Sequence, residues 1–349
     1  MIRPSDWSKP TSAKTAQMWG TSEFESHPIT ANKGGASWLT THNPRLQGGR
    51  LQCLSLSIQC LGEEMSSRET AAPVGTELPA VPMTMEGYSV LHQMMRVRWA
   101  AWNKLPAAER AAIAKEAAGA LAKMEESGET ALYSMLGHKG DLMLIHFRNS
   151  FDELNAAELE LKRLRLEEYV EPTSSYVSVI ELGLYDSSVK LYRELRDRGV
   201  VPHSEEWNKA IEETIERQRQ AMRPRLYPKI PDHRYACFYP MDRKRGEAIN
   251  FYTLPITERQ RQMEEHGTVG RRYAGKVQQI ISGSIGFDDW EWGVDLFAAD
   301  PLQFKKLIYE MRFDEVSAVY AAFGSFFLGL RVPAGMLGEA LNGKLPESL

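Results

Sequence analysis

Hydrophobic and polar positions alternate in two ways along this chain, and the two ways follow each other in a regular order. Short segments with a period of two predict strands, and longer segments with apolar residues three and four apart predict helices. In the first half, the pattern predicts strand, helix, strand, strand, helix and strand over 88–97, 106–125, 131–136, 142–148, 151–169 and 176–185. This is the order of the ferredoxin-like unit.

The same order returns in the second half of the chain. The predicted elements are a strand, a helix, two strands, a helix and a strand, over 235–241, 257–266, 276–284, 290–298, 301–321 and 325–331. Two such units can pair their sheets and keep their helices outside. We therefore predict an α+β fold in which two ferredoxin-like units form a dimeric-type α+β barrel, in preference to two independent domains.

The remaining segments flank or connect these units. Residues 1–85 are dominated by Ser, Thr, Gly, Pro and Asn without a lasting period, which predicts a disordered extension. Met65, Met83 and Met85 are alternative start codons, so a misassigned start is one explanation for the extension. The predicted organisation is then a first unit, a connector, a second unit and a tail, over 86–185, 186–232, 233–333 and 334–349. The connector is predicted to contain a polar helix over 205–222 and a proline-marked loop over 224–231.

Composition limits the class of protein. The chain has 349 residues, a net charge of −4 and 25% charged residues, as expected of a soluble globular protein. No apolar run approaches the roughly 20 residues that span a bilayer, and the amino terminus lacks the order of a signal peptide. We therefore expect a cytoplasmic protein with no membrane span. Cys53, Cys60 and Cys237 form neither a disulfide framework nor a zinc pattern.

Charge is unevenly distributed. Residues 223–276 contain twelve Lys or Arg and six Asp or Glu, although the whole chain is acidic. This excess indicates an anionic partner. Nucleic acid is the alternative, but the segment carries no recognised nucleic-acid motif and the basic character does not extend over a domain. A compact polyanion fits better.

Candidate chemistry lies in the same segment. Tyr239 offers an oxidisable phenol, a basic cluster follows it, and His266 offers one ligand to iron. Together they suit a tyrosine that works beside a haem-type iron on a substrate with several carboxylates. Two structural readings stay open: His266 before Gly267 can be a capped helix end, and Tyr239 can be a strand-end aromatic with a satisfied hydroxyl.

Six motifs closely resemble, in order and spacing, those of the coproheme decarboxylases of the chlorite dismutase-like superfamily. They are RLYP at 225–228, CFYPM at 237–241, EHG at 265–267, GRRYAGKVQQ at 270–279, GSIGFDDWEWGV at 283–294 and EMRFDE at 310–315. The resemblance covers roughly 85–331. It implies the two-unit barrel, a haem-binding second unit and, typically, a homopentamer.

The resemblance also implies an activity. Two propionates of iron-coproporphyrin III (coproheme) are oxidised to vinyl groups by hydrogen peroxide, which yields haem b through a monovinyl intermediate. Coproheme, with its iron, is then both substrate and redox centre. His266 matches the proximal iron ligand. Tyr239 matches the catalytic tyrosine, whose radical takes hydrogen from a propionate before carbon dioxide leaves. A transient contact with the coproporphyrin ferrochelatase is a further expectation.

Further site residues follow from the motif positions. The residues expected to bind substrate are Arg225, Tyr239, Pro240, Met241, Asp242, Arg243, Lys244, Gln279, Arg312 and Ser317. The family often has lysine four residues after the tyrosine, where this chain has Arg243 followed by Lys244, so either can contact a propionate. Chlorite dismutases carry arginine over the distal iron face. The neutral amide of Gln279 therefore favours decarboxylation. The alternatives are a non-catalytic haem carrier or sensor, and a chlorite dismutase.

Overall fold

The structure, a computed structural model, describes residues 77–347. The predicted disordered extension falls outside the described residues up to residue 76, and Cys53 and Cys60 lie there too. Its predicted end at residue 85 comes too late, because the first strand begins at Thr84 and both Met83 and Met85 are buried. The first folded residues thus precede the predicted boundary.

The first half of the described chain has the predicted order of elements. They are β1 (Thr84–Val97), α1 (Trp99–Trp102), α2 (Ala107–Glu125), β2 (Thr130–Leu136), β3 (Leu142–Arg148), α3 (Phe151–Leu161) and β4 (Val170–Gly183). The helix predicted over 151–169 ends early, and a short 3-10 helix (Arg165–Tyr169) follows it. Strand β4 begins before the predicted residue 176, because its polar first residues pair with the end of β1.

Two helices connect the halves, α4 (Tyr185–Asp197) and α5 (Glu205–Leu226). The sequence analysis predicted only the second of them. It also predicted a loop from residue 224, but α5 continues through Pro224. Pro224 has no N–H to donate to the carbonyl of Gln220, and the helix ends two residues after it.

The second half repeats the order with one interruption. Its elements are β5 (Tyr235–Arg243), α6 (Ile256–Arg271), β6 (Gln278–Gly283), β7 (Trp292–Ala298), α7 (Leu302–Met311), α8 (Glu315–Tyr320), β8 (Ala321–Phe323), β9 (Phe327–Arg331) and α9 (Leu337–Ala340), with 3-10 helices at Phe251–Thr253 and Ala334–Met336. The helix predicted over 301–321 is two helices, because Asp314 caps the start of α8.

All strand pairs are antiparallel, and the pairings close a barrel. The first unit has the strand order β4-β1-β3-β2 and the second has β9-β5-β7-β6, which is the ferredoxin-like order in both cases. Strand β2 pairs with β9, and β4 pairs with β6, so the two sheets join at both edges. Strand β8 pairs with the end of β5 outside this ring of eight strands. The predicted barrel is confirmed.

The period of two in β5 divides its side chains between two cores. Ala236 and Phe238 face the barrel interior, where they pack with residues of both units. Cys237, Tyr239 and Met241 face outward, where they pack against α6 and α7. This alternation places Tyr239 between the sheet and the helices, where the site described below is found.

Buried polar pairs join the two units inside the barrel, and in one of them Ser178 Oγ of β4 donates to Ser282 Oγ of β6 at 2.8 Å. In another, His92 Nε2 of β1 lies 2.8 Å from Asp295 Oδ1 of β7, and both side chains are almost fully buried. The imidazole stacks on Phe238, with ring centroids 3.9 Å apart. This contact gives each buried group a partner in the other unit, although Nδ1 of His92 has none within the described residues, so the pair helps to fix how the two halves of the barrel face each other.

Gly87 provides a test of how α5 packs on the barrel. A Cβ atom at this position would lie 2.0 Å from the carbonyl oxygen of Leu226, and neither backbone can move without disturbing β1 or α5. We expect Gly87→Ala to lower the free energy of unfolding by about 3 kcal/mol. Urea denaturation measures the change. Gly119→Ala is the control, because nothing lies within 4 Å of its new Cβ. Equal stability of the two variants would contradict the packing described.

Candidate active site

A cavity of about 730 Å³ lies between the outer face of strands β4 to β7 and the helices α4 to α8. Its volume falls within the roughly 300–1,000 Å³ of small-molecule sites. Apolar side chains from the sheet and the helices form much of the wall, and charged or polar groups interrupt it. The predicted site residues that line it are Arg225, Tyr239, Met241, Arg243, His266, Gln279, Arg312 and Ser317.

His266 lies inside α6 and points one ring nitrogen at a buried carboxylate. Its Nδ1 is 2.9 Å from Asp314 Oδ2, and about a fifth of the His266 side chain is exposed. The helix predicted to end at His266 continues to Arg271, so His266 before Gly267 is not a capped terminus. Helix α6 continues because Val269 belongs to the outer core with Met311.

Asp314 sets the state of this imidazole. Its Oδ1 accepts the backbone N–H of Ser317 at 2.8 Å. Burial opposes ionisation of Asp314, but the hydrogen bonds from His266 and Ser317 hold the pKa of its carboxyl below the ordinary value. An ionised carboxylate can only accept, so Nδ1 of His266 carries a proton. In the neutral imidazole, the lone pair then lies on Nε2, where it can bind a metal.

Tyr239 is buried in an aromatic cluster on the outer face of β5. Its ring stacks on Phe326 with centroids 4.5 Å apart, and Phe323 lies 5.9 Å away. Burial raises the pKa of the Tyr239 phenol well above its ordinary value, and the Cys237 thiol adds to the rise, while nearby arginines oppose it. The phenol therefore keeps its proton at neutral pH.

The phenol of Tyr239 and the imidazole of His266 line the same cavity. The two groups come from different elements, β5 and α6, and they meet because helix α6 packs over the outward side of the strand. Gln279 of β6 lines this cavity as well. The arrangement brings an oxidisable group, a candidate metal ligand and a neutral amide to one enclosed space.

Four arginines line the cavity, and three of them, Arg225, Arg243 and Arg312, were predicted as site residues, whereas Arg271 was not. Arg243 is 8% exposed and lies 5.2 Å from the centre of the Phe251 ring. Arg312 stacks on Phe323 at 3.6 Å, and Arg225 is exposed at the end of α5. Within residues 77–347, none of the three forms a salt bridge with a carboxylate of the chain. Their guanidinium groups are therefore available to an anionic ligand.

Three predicted site residues do not line the cavity. The side chains of Pro240 and Asp242 lie on the opposite face of β5 from Tyr239. Asp242 Oδ1 accepts the backbone N–H of Glu291 at 2.7 Å. Lys244 follows the strand, and its backbone pairs with Tyr320 and Phe251. The sequence left open whether Arg243 or Lys244 contacts a propionate. Of the two, only Arg243 lines the cavity.

The sequence analysis missed Asp314 as a partner of His266. The residue was part of the EMRFDE motif but received no role. A signal was present, because Asp is a preferred N-cap residue and Glu315 after it places an acidic side chain in the first turn of a helix. Phe326, which stacks on Tyr239, gave no signal, since its place depends on how β8 and β9 return to β5.

The structure limits how a metal can be held. Within residues 77–347, no group of three or more His, Cys, Asp or Glu side chains is placed to hold a metal ion. His266 offers a single nitrogen, which suits an iron whose other ligands belong to a tetrapyrrole. In the described part of the chain, no helix combines the length and apolar character needed to cross a bilayer.

Comparisons with known proteins agree with this geometry. The family described as Chlorite dismutase matches residues 110–332. A coproheme decarboxylase from Staphylococcus saprophyticus is 42% identical over 257 residues, which cover 72% of this chain and 94% of that protein. The chain belongs to the chlorite dismutase family. The membership predicted from the six motifs is confirmed.

Solved structures of this family share the fold. A structure described as a novel heme-binding protein from Thermus thermophilus is 38% identical, with a TM-score of 0.64 over 76% of this chain and 99% of that one. A chlorite dismutase variant from Candidatus Nitrospira defluvii is 16% identical, with a TM-score of 0.55 over 73% of this chain and 95% of that one. At that identity, the likeness concerns the fold alone.

Proposed function

We propose that this chain is a coproheme decarboxylase that uses hydrogen peroxide. Its substrate is iron-coproporphyrin III, two of whose propionates become vinyl groups, and the product is haem b, formed through a monovinyl intermediate. The observation that carries the proposal is that Tyr239 and His266 line one cavity with unpaired arginines. The 42% identity to a protein named coproheme decarboxylase supports the same substrate.

The arginines are proposed to bind the propionates of the substrate. A guanidinium holds a carboxylate through two parallel charge-assisted hydrogen bonds, which orients it as well as binding it. Arg243 contributes most, because burial strengthens its interaction with an anion. Arg225 and Arg312 are more exposed and supply charge and orientation. Ser317 and Met241, which also line the cavity, are proposed to contact the substrate as well. Pro240, Asp242 and Lys244 lie behind the lining of the cavity.

His266 is proposed to bind the iron of the substrate through Nε2. Asp314 fixes the neutral tautomer and the orientation of the ring, as carboxylates do beside many metal-binding histidines. When bound, the iron would be oxidised by hydrogen peroxide and would in turn oxidise groups in the site. Gln279 offers no charge to an oxyanion, which favours decarboxylation over chlorite chemistry.

Tyr239 is proposed to take the hydrogen from the substrate. Its phenol first loses an electron and its proton, and the resulting radical removes a hydrogen atom from a propionate side chain. Loss of carbon dioxide and of one more electron then leaves the vinyl group, and the two electrons removed from each propionate reduce one hydrogen peroxide to two waters. The aromatic cluster around Tyr239 keeps water from the ring and holds it in one orientation.

We also propose a cytoplasmic homo-oligomer, a pentamer by resemblance, with transient contact to the ferrochelatase that supplies the substrate. Two pairs of exposed aromatic side chains support the proposed oligomer, because contact with other subunits would bury them. Phe151 and Phe287 have centroids 5.0 Å apart, and Tyr309 and Phe313 have centroids 5.3 Å apart. Native mass spectrometry determines the number of subunits directly.

Product mass after peroxide addition tests the proposed function. We expect the purified protein with iron-coproporphyrin III to lose two carbon dioxide molecules in succession as peroxide is added. A haem carrier is the second candidate, because the Thermus thermophilus relative is described as heme-binding. Tight binding with an unchanged porphyrin mass would support the carrier and contradict the enzyme. Oxygen release after addition of chlorite would instead indicate chlorite dismutation.

Asp314→Asn tests the role of the carboxylate beside His266. We expect the affinity for iron-coproporphyrin III to fall roughly 10- to 100-fold, because the ring loses its anionic partner. Asparagine also caps helices well, so the fold should be kept. Visible titration measures the affinity. Glu315→Gln is the control, and metal-free coproporphyrin should bind both variants like wild type. Unchanged affinity for the iron form in Asp314→Asn would contradict the assignment.

A further inference from the structure

Three carboxyl groups outside the machinery described above line the cavity, those of Glu181, Asp186 and Glu264, and only Glu181 among them is half-buried rather than exposed. Glu181 lies on β4, and its side chain crosses to the neighbouring strand β6. A Cβ atom at Gly283 would lie 2.4 Å from Glu181 Oε2, so the absence of a side chain at Gly283 makes room for the carboxyl group. Glu181 is therefore built into the wall on the side of the cavity that β4 and β6 form.

Glu181 has no cationic partner within the described chain. None of the salt bridges or side-chain hydrogen bonds among residues 77–347 involves it. Its partner across the β1–β4 pair is another acid, Glu86, whose own carboxylate accepts a hydrogen bond from Thr84 at 2.5 Å. A half-buried carboxyl group beside a like charge is hard to ionise.

Other charged or titratable groups near Glu181 act less directly. From α4, the phenol of Tyr185 lies close enough to feel the charge of Glu181. Arg243 of β5 and Arg259 of α6 act on that same phenol, and neither is paired with Glu181. Burial, with the charge of Glu86 adding to it, raises the pKa of Glu181 to about 7. Near neutral pH, the group is thus present in both forms.

We propose that Glu181, in its protonated form, donates a hydrogen bond to a propionate carboxylate of the bound tetrapyrrole. The inference rests on the proposed function, since it needs a polycarboxylate in this cavity. Arginines bind some carboxylates of the substrate as charged partners, whereas Glu181 binds one as a neutral donor. The arriving anion makes ionisation of Glu181 harder still, so substrate binding takes up a proton.

Proton uptake gives a readout that does not depend on turnover. Isothermal titration of iron-coproporphyrin III in buffers with different ionisation enthalpies counts the protons bound with the substrate. At pH 8, wild type should take up close to one proton more than Glu181→Gln, because the free carboxyl is mostly ionised above pH 7. At pH 5.5, both proteins should take up the same number, since Glu181 is already protonated.

The affinity for iron-coproporphyrin III should depend on pH because binding takes up this proton. Above about pH 7, the affinity of wild type should fall by up to tenfold per pH unit relative to Glu181→Gln, whose amide remains a neutral donor. Glu86→Gln is the second variant. Removal of its charge should move the onset of proton uptake to lower pH without abolishing it. Thermal unfolding of the free proteins at pH 8 verifies folding, and Glu181→Gln should be the more stable because ionised Glu181 disfavours the folded state.

The outcomes separate the two proposals. Binding of iron-coproporphyrin III with the same proton count in wild type and Glu181→Gln at pH 8 would overturn the role of Glu181 and leave the proposed function intact. Absence of binding by wild type would overturn both. A proton difference that is present at pH 8 and absent at pH 5.5 would support the inference.

Discussion

Tyr239→Phe is expected to lower the rate of carbon dioxide release from iron-coproporphyrin III by roughly 10³-fold or more. Phenylalanine keeps the ring that stacks on Phe326, so the cavity should retain its shape and its affinity for the substrate. What is lost is the hydroxyl hydrogen, whose removal would generate the proposed radical. Product mass measured during peroxide addition reports the reaction, and visible titration reports binding.

Tyr252→Phe is the matched control for this substitution. Tyr252 lines the same cavity, but its hydroxyl already donates to Glu291 Oε2 at 2.6 Å. We expect this variant to lose both carbon dioxide molecules at close to the wild-type rate. Continued decarboxylation by Tyr239→Phe, or an equal fall in the rate of carbon dioxide release in the two variants, would contradict the proposed role of Tyr239.

His266→Ala is expected to weaken binding of iron-coproporphyrin III by about 100-fold or more, because the iron would lose the ligand proposed for it. Binding of metal-free coproporphyrin should change little, since the arginines that bind its carboxylates remain in place. The difference between the two ligands isolates the iron bond. Visible titration of both porphyrins measures it.

Two controls accompany His266→Ala. Imidazole added to the solution should partly restore the spectrum of the iron-bound form, because the truncated side chain leaves space for it. His138→Ala, in the exposed turn between β2 and β3, should bind both porphyrins like wild type. Equal loss of affinity for the iron-containing and metal-free porphyrins would mean that His266 shapes the cavity without binding iron.

The sheet was predictable from the chain because its strands carry their own period. The period of two places Tyr239, Met241 and Arg243 on one face of β5, although 235–241 is apolar on both faces and does not itself indicate which face the barrel interior takes. Applied consistently, it would have separated Pro240 and Asp242 from the cavity at once. The closed barrel could be predicted because the order strand, helix, strand, strand, helix, strand occurs twice in the chain.

Helix boundaries were less predictable, because tertiary contacts decide them. The break between α7 and α8 has neither Pro nor Gly, and it arises where Asp314 turns back to cap α8. Helix α4 was missed even though Val189, Tyr192 and Leu195 have helical spacing, because the unit order left no place for it. Its burial against α6 and α5 is visible only in the fold.

The site was predictable only in part. Sequence motifs indicated the side chains that can react or coordinate, and the structure brings eight of them to one cavity. Their supporting groups could not be identified from spacing. Asp314 is 48 residues from His266, and Glu181 comes from the other unit of the barrel, so only folding brings them to the site.

A crystal structure of the protein with iron-coproporphyrin III tests the central claim most directly. The account predicts the tetrapyrrole in the cavity of about 730 Å³, with the iron bonded to Nε2 of His266 and a propionate against the Tyr239 phenol. A tetrapyrrole bound elsewhere, or an iron ligand other than His266, would contradict it.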